Sequence, residues 1–416
     1  MAKQFSFDDL DKSLSKVSEL GSILTENKFS KIDEYISTGN FVLNAQLSGS
    51  LFGGIPNTRS VALSGESGVG KSFLCLNIAR EAQKMGYYII YCDSESAIDE
   101  DIARKFGLDP EKIRYQPVNT IKALKNFCAN LYDQLKEKKD KGYETPKIMM
   151  IVDSIGNLAT EKERTDALSG SDKKDMTRAG DIRSLFRIIT TDLAELKIPL
   201  VFTNHSYTSV GSYVPTQIMS GGGGAIYAAS MILMLSKASL KENNKEAEKA
   251  GMTKTGVLVT SKPSKNRFAK PIPVKFHISF YHGMNPYVGL EKYVSWDNVG
   301  IGPGKLEERI EERPVLDEDG NQVIKRGKPV VEKIQTGEFE YIKDDSANPK
   351  TFAIKHLGKT IKASQLFTHE VFTEEVLKAM DEEVIRPMFE LPNVTESDTL
   401  PDIFDDMTEE DDDVLE

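Results

Sequence analysis

Residues 59–281 alternate between short apolar runs and longer amphipathic stretches. The runs are 60–65 (SVALSG), 87–93 (YYIIYCD), 147–153 (KIMMIVD), 198–204 (IPLVFTN), 229–236 (ASMILMLS), 256–260 (GVLVT) and 272–280 (IPVKFHISF). Stretches 72–85, 120–139 and 176–196 lie between several of them and carry apolar positions at the helical period. Strand-like runs separated by helices predict an α/β fold with a mainly parallel sheet covered on both faces. The last three runs have no helical stretch between them and are expected to extend the sheet in antiparallel fashion.

The flanks differ in texture. Residues 1–35 place Leu14, Val17, Leu20, Ile23 and Leu24 at helical spacing among charges, which predicts an amphipathic arm. Such an arm either caps its own chain or docks on a neighbouring subunit. Residues 36–284 are expected to form the core and 285–390 a smaller mixed domain. The latter holds hairpin-like segments, with a turn near Asp319-Gly320, and a helix over 373–380. Residues 391–416 are expected to be a disordered acidic tail.

Hydrophobic residues at 39% and charged residues at 28% describe a soluble globular chain, with no apolar run near the ~18 residues of a membrane span. The amino terminus lacks the basic patch and apolar stretch of a secretory signal. Cys75, Cys92 and Cys128 are scattered outside any metal spacing, so buried thiols in a reducing cytoplasm are expected. The net charge of −11 is carried by eleven acids between Glu396 and Glu416. The remainder is neutral, and a basic groove within it is compatible with the composition.

Gly65, Glu66, Ser67, Gly68, Val69, Gly70, Lys71 and Ser72 fit GxxxxGK[ST] throughout. A strand must turn sharply into a helix while its backbone N–H groups close around phosphate oxygens, which side chains would obstruct. Lys71 would reach the outer phosphates and Ser72 would ligate magnesium. Asp153, ending a buried run about eighty residues on, is the acid expected to hold the metal shell.

Other polar groups end strands on the same rim, where open α/β sheets gather their ligands. Glu95 could polarise an attacking water, although a turn glutamate would look the same in sequence. His205 could hydrogen-bond an outer phosphate or be a satisfied rim histidine. Segments 160–178 and 206–224 lack apolar periodicity and are expected to be loops. The first carries Lys173, Lys174 and Arg178, and the second runs from Ser206 to the glycines around Gly221 and Gly222. They could line a DNA channel or simply be solvated.

These motifs together resemble the RecA family of recombinases, and within it the UvsX recombinases of tailed phages. The lead-in from Ile36-Ser37-Thr38-Gly39 to Gly53-Gly54-Ile55-Pro56 is similar to the family's approach to its phosphate loop. The segment from Tyr91 to Asp99 is similar to the one carrying the catalytic glutamate, and it implies Glu95 as that residue and Asp99 as a nucleotide contact. Asn204-His205 stands where the bacterial branch has Gln and the phage branch Asn-His. Lys265-Asn266-Arg267 lies where the bacterial family has two lysines that reach ATP across the subunit interface. The resemblance covers about residues 36–290.

It implies a RecA-like ATPase core whose amino-terminal arm oligomerises. Its expected activity is DNA-dependent ATP hydrolysis with Mg²⁺, in a helical filament on single-stranded DNA that pairs with homologous duplex. Segments 160–178 and 206–224 would be the two DNA-binding loops, with His205 coupling the second to the nucleotide. The acidic tail would compete with DNA or recruit a mediator or a single-strand-binding protein. A hexameric helicase and a non-hydrolysing mediator of the same fold are the alternative readings.

Overall fold

Strand-forming runs and amphipathic stretches assemble around one large sheet in a computed structural model of the chain. It describes residues 6–17, 23–27, 31–169, 177–208, 217–219, 229–240, 256–280, 282–317 and 320–392. Helix α1 (Phe7–Ser15) is opened by a capping box between Ser6 and Asp9 and buries none of its residues. The lead-in pairs β1 (Tyr35–Ile36) with β2 (Ile55–Pro56) around α2 (Phe41–Ser48). Gly54, at φ +129°, passes so close to Ile36 that a Cβ would lie 2.2 Å from its carbonyl oxygen, so only glycine fits.

The core then runs β3 (Ser60–Gly65), α3 (Lys71–Lys84), β4 (Tyr88–Asp93), α4 (Glu100–Lys105), β5 (Ile113–Pro117), α5 (Ile121–Asp140) and β6 (Ile148–Asp153). It continues with α6 (Glu161–Ser169), α7 (Arg178–Glu195), β7 (Leu200–Thr208), β8 (Gln217–Met219), β9 (Met231–Leu240), β10 (Gly256–Lys265), β11 (Val274–Ser279) and β12 (Gly283–Met284). The strands form a 10-stranded sheet in the order β12-β11-β10-β9-β3-β7-β6-β4-β5, with β8 paired to β7. Strands β9, β3, β7, β6, β4 and β5 are mutually parallel. The expected antiparallel extension begins one run later than the sequence suggests, since β9 runs parallel to β3 and only β10 to β12 reverse.

Successive residues of the central strands feed opposite faces, as the two-residue repeat requires. Leu63, Tyr91 and Ile151 enter one hydrophobic cluster with α2 and α3, while Ala62, Cys92 and Val152 enter another with α5 and α7. Both faces are therefore covered. All three cysteines are free and buried.

After α8 (Trp296–Val299) comes the long ribbon of β13 (Ile301–Pro314) and β16 (Val331–Lys343), with β14 (Ile324–Lys325) and β15 (Lys328–Pro329) near its tip. The described part of the expected turn is Gly320, at φ +83°. Strands β17 (Thr351–Ile354) and β18 (Lys359–Lys362) pair beside β13, and α9 (Glu374–Met380) and α10 (Arg386–Phe389) come after them. Ile301, Ile354, Phe372 and Phe389 share the cluster that contains Val42 and Leu63, so this region packs into the same core. The buried Asp381 carboxylate accepts from Leu51 N at 2.6 Å, Ser50 Oγ at 2.8 Å and Arg386 Nε at 2.9 Å. Glu390 forms a bridge with Ala269. Among the described residues, no helix is long and apolar enough to cross a membrane.

Two expectations about loops need correction. Segment 160–178 is not a loop throughout: Thr160 Oγ1 accepts from Glu163 N at 3.0 Å, Glu163 Oε2 accepts from Thr160 N at 2.7 Å, and this reciprocal cap starts α6. Segment 206–224 likewise begins as strand, because Ser206, Tyr207 and Thr208 pair with β8.

Candidate functional site

Strand register alone gathers the rim. Gly65, the last residue of β3, faces His205 on β7 and Leu235 on β9, while Asp93 faces Asp153 across β4 and β6. The loop from Gly65 to Ser72 leaves this rim and turns into α3. Gly68 and Gly70 adopt φ of +70° and +98°, and a Cβ on Gly70 would come 2.6 Å from Ile278 Cδ1. Both positions favour glycine. No side chain caps α3, so its first N–H groups face the loop's concavity, the arrangement that receives an anion. The Lys71 ammonium folds back to donate to Gly65 O at 2.8 Å and Glu66 O at 3.0 Å. Burial pushes its pKa down, against the pull of Asp153 and Glu95.

Asp153 is buried and fixed through both oxygens, accepting from Tyr91 Oη at 2.9 Å and from Thr203 Oγ1. Burial, reinforced by Cys75 and Asp153, pushes the Tyr91 pKa well up, which keeps the phenol a donor. Asp93 shapes the next turn by accepting from the amides of Glu95 at 2.8 Å, Ala97 at 2.8 Å and Ile98 at 3.3 Å. Ser96 is thereby held at φ 55°. Hydrogen bonds to a charged group contribute about 1.5–3 kcal/mol each, which outweighs the roughly 1–2 kcal/mol of one left-handed residue.

That turn aims Glu95 inward. Its Oε1 accepts from Ser154 Oγ at 2.7 Å and lies 3.5 Å from His205 Nε2. A cavity of about 200 Å³ is lined by Ser67, Gly68, Gly70, Lys71, Ser72 and Phe73 on one side and by Glu95, Asp153 and His205 on the other. A second cavity, of about 410 Å³, lies beside α4 between Asp99 and Tyr115. Asp99 caps that helix, with Oδ1 accepting from Ile102 N at 2.7 Å.

The remaining candidates lie elsewhere. Lys265 faces Ile232 on β9, which faces Ala62 on β3, so it stands near the opposite end of the sheet from Gly65. Gly65 lies three positions beyond Ala62 along the strand, about 10 Å at the usual rise. Asn266 pins this turn to α2 through Gln46 O at 2.7 Å. Arg59 stacks over the Phe268 ring, 5.6 Å from its centroid. Burial, with Arg267 nearby, pushes down the pKa values of both Arg59 and Lys265, as expected of a crowded cationic patch.

Arg178 begins α7 instead of projecting from an open loop. Its guanidinium donates to the carbonyls of Gly156, Ile155 and Leu158, a role in bracing the turn after β6. Ser206 lies in β7, one residue beyond His205. Lys173, Lys174, Gly221 and Gly222 lie outside the described residues. Tyr91, Thr203, Ser154 and Asp93 complete the site without standing out in the sequence. Their only signal there is polarity inside or at the end of an otherwise apolar run.

Residues 4–285 match the RecA N-terminal domain. The chain is similar to the recombination and repair protein of Enterobacteria phage T4, at 30% identity over 68% of this chain and 69% of the relative. It is also similar to the protein RecA of Thermus aquaticus, at 27% identity over 81% of this chain and 98% of the relative. A third relative is the mitochondrial DNA repair protein recA homolog 3 of Arabidopsis thaliana, at 28% identity over 60% of this chain and 54% of the relative. With more than half of its length matching that domain, on a sheet whose rim gathers the same motifs, the chain belongs to the RecA family of recombination and repair proteins.

Proposed function

We propose that the protein is a DNA-dependent ATPase that forms a helical filament on single-stranded DNA and catalyses homologous pairing and strand exchange. The observation that carries this reading is the register of Gly65 with His205, which joins the phosphate loop to the strand leading into segment 206–224.

The residues present fit a magnesium–nucleoside triphosphate. Glycines that a Cβ would obstruct, an uncapped helix start and the Lys71 ammonium make a cradle for phosphates. Magnesium in such sites takes few protein ligands and completes its shell with water and phosphate oxygens, which suits Ser72 and the tethered carboxylate of Asp153. The ion would neutralise charge on the phosphate oxygens. Asp99 and the cavity beside it would receive the base. Glu95 would orient a water and accept its proton, with Ser154 holding the carboxylate in place.

Lys265 and Arg267 stand too far down the sheet to serve their own chain's nucleotide, so they would act on that of the next subunit. The arginine's planar fork suits phosphate. Helix α1 supports assembly: Phe7 and Leu14 are exposed, and a free helix of this length is marginal in water. It would dock on a neighbour. His205 would exchange its approach to Glu95 for an outer phosphate oxygen and so bias segment 206–224 toward its strand-holding form. The tail would recruit a mediator or a single-strand-binding protein.

Electron microscopy with ATP and single-stranded DNA tests the assembly. Open helical filaments on DNA are expected; closed rings would favour a helicase. Strand affinity is expected to rise with ATP over ADP, and equal affinity in all nucleotide states would defeat the proposal.

A further inference from the structure

The phosphate loop carries a second ammonium that the mechanism above does not use. Lys237 lies on β9, two residues beyond Leu235, the residue facing Gly65. Its Nζ donates to Ser67 O at 2.7 Å. A Cβ on Gly68 would come 3.0 Å from the same nitrogen, so the ammonium stands over the open face of that glycine. Lys71 takes the carbonyls of Gly65 and Glu66 and Lys237 takes that of Ser67, so three successive loop carbonyls are held by two cations.

Two like charges beside one short loop repel in the absence of an anion, and a triphosphate relieves that repulsion. Lys237 is exposed, so turning from a neutral carbonyl to a phosphate oxygen costs little desolvation and gains a charge-assisted bond. Its contact is at Ser67, toward the open side of the loop and away from the start of α3, which suits the outermost phosphate. Strands β7 and β9 flank β3; His205 approaches the site from the first and Lys237 from the second.

We infer that Lys237 is a second phosphate-binding ammonium, recognising the terminal phosphoryl group from β9. This rests on the reading that the loop receives a nucleoside triphosphate. The test compares wild type, Lys237→Met and Lys237→Arg for binding of fluorescent ADP and a fluorescent non-hydrolysable ATP analogue, with circular dichroism to verify folding. Single-strand affinity is measured with and without the analogue.

Lys237→Met is expected to weaken the triphosphate roughly 10- to 100-fold, the worth of a charge-assisted bond, and the diphosphate less than about 2-fold. Arg is expected to restore much of the difference, and the Met variant to lose the nucleotide-dependent gain in strand affinity. Equal losses for both nucleotides would overturn the inference and leave Lys237 a brace for Ser67; no loss would overturn it outright. A fall in strand affinity that ignores nucleotide would also overturn it, marking a DNA contact. Failure of the wild type to bind either nucleotide would instead defeat the underlying reading of the loop.

Discussion

Glu95 Oε1 lies 3.5 Å from His205 Nε2, although Glu95 follows β4 and His205 lies on β7, with β6 between the two strands. The contact places the candidate base for hydrolysis against the candidate reporter for DNA binding. Hydrolysis and strand release would therefore be events of one pair of side chains.

The base is tested by Glu95→Gln, which keeps the shape and the acceptor from Ser154. DNA-stimulated ATP turnover should fall about 100-fold or more, as expected for loss of a general base. Affinity for the nucleotide should change little. Turnover within a few-fold of wild type in a phosphate-release assay would remove Glu95 from that role.

The reporter is tested by His205→Ala. Single-strand affinity should become nearly equal with ATP and ADP, while nucleotide binding at Lys71 and Ser72 persists. Fluorescence anisotropy of a labelled oligonucleotide measures this directly. A retained preference for the ATP state would show that another group carries the signal.

Catalysis across the interface predicts complementation. Lys71→Ala lacks the loop cation, and a Lys265→Ala/Arg267→Ala double variant lacks the trans cations, so each alone should be inactive. In a random equimolar mixture about a quarter of interfaces in a head-to-tail assembly join an intact loop to intact cations. ATPase activity should reappear at roughly that fraction. Strictly additive, near-zero activity would place Lys265 and Arg267 outside the reaction.

The thiols offer a test of the core. Burial pushes the Cys128 pKa up to about 12, and burial likewise raises Cys75 and Cys92. An exposed thiol ionises near ~8.5, so at pH 9–10 the unfolded chain releases protons that the folded chain keeps. The resulting stability is present below ~8.5 and is lost as pH climbs toward 12. Iodoacetamide at pH 9 should leave the native protein largely unmodified and label all three residues in urea.

Much of this was legible in the residues, because apolar period and glycine spacing are local properties. The run ending in Asp153 and the turn from Gly65 to Ser72 declare themselves within a few positions. The juxtaposition of Gly65 and His205 does not, because register between strands 140 residues apart is settled by packing across the whole sheet. The start of α6 was readable as Thr160-x-x-Glu163, yet the polar residues after Glu163 masked it. Arg178 looked like a loop cation because sequence cannot show that three carbonyls surround its guanidinium. Lys237 had no local signal, since its meaning depends on a neighbouring strand ending at the phosphate loop.

Truncation after Leu391 removes eleven acids and no cation. Duplex affinity should rise severalfold at low salt, and the gain should shrink as the Debye length falls from ~30 Å at 0.01 M to ~10 Å at 0.1 M. Gel-shift titrations across that range measure it. A gain insensitive to salt, or none, would dismiss electrostatic competition.

The bridge between Glu390 and Ala269 holds the end of the described chain only two positions along from Arg267. Whatever continues past Pro392 is thus leashed beside the patch of Arg59, Lys265 and Arg267. For a leashed anion, local abundance depends on leash length and not on how much protein is in solution. Competition between those tethered carboxylates and a neighbour's phosphates would therefore not weaken on dilution, even at concentrations too low for subunits to find one another.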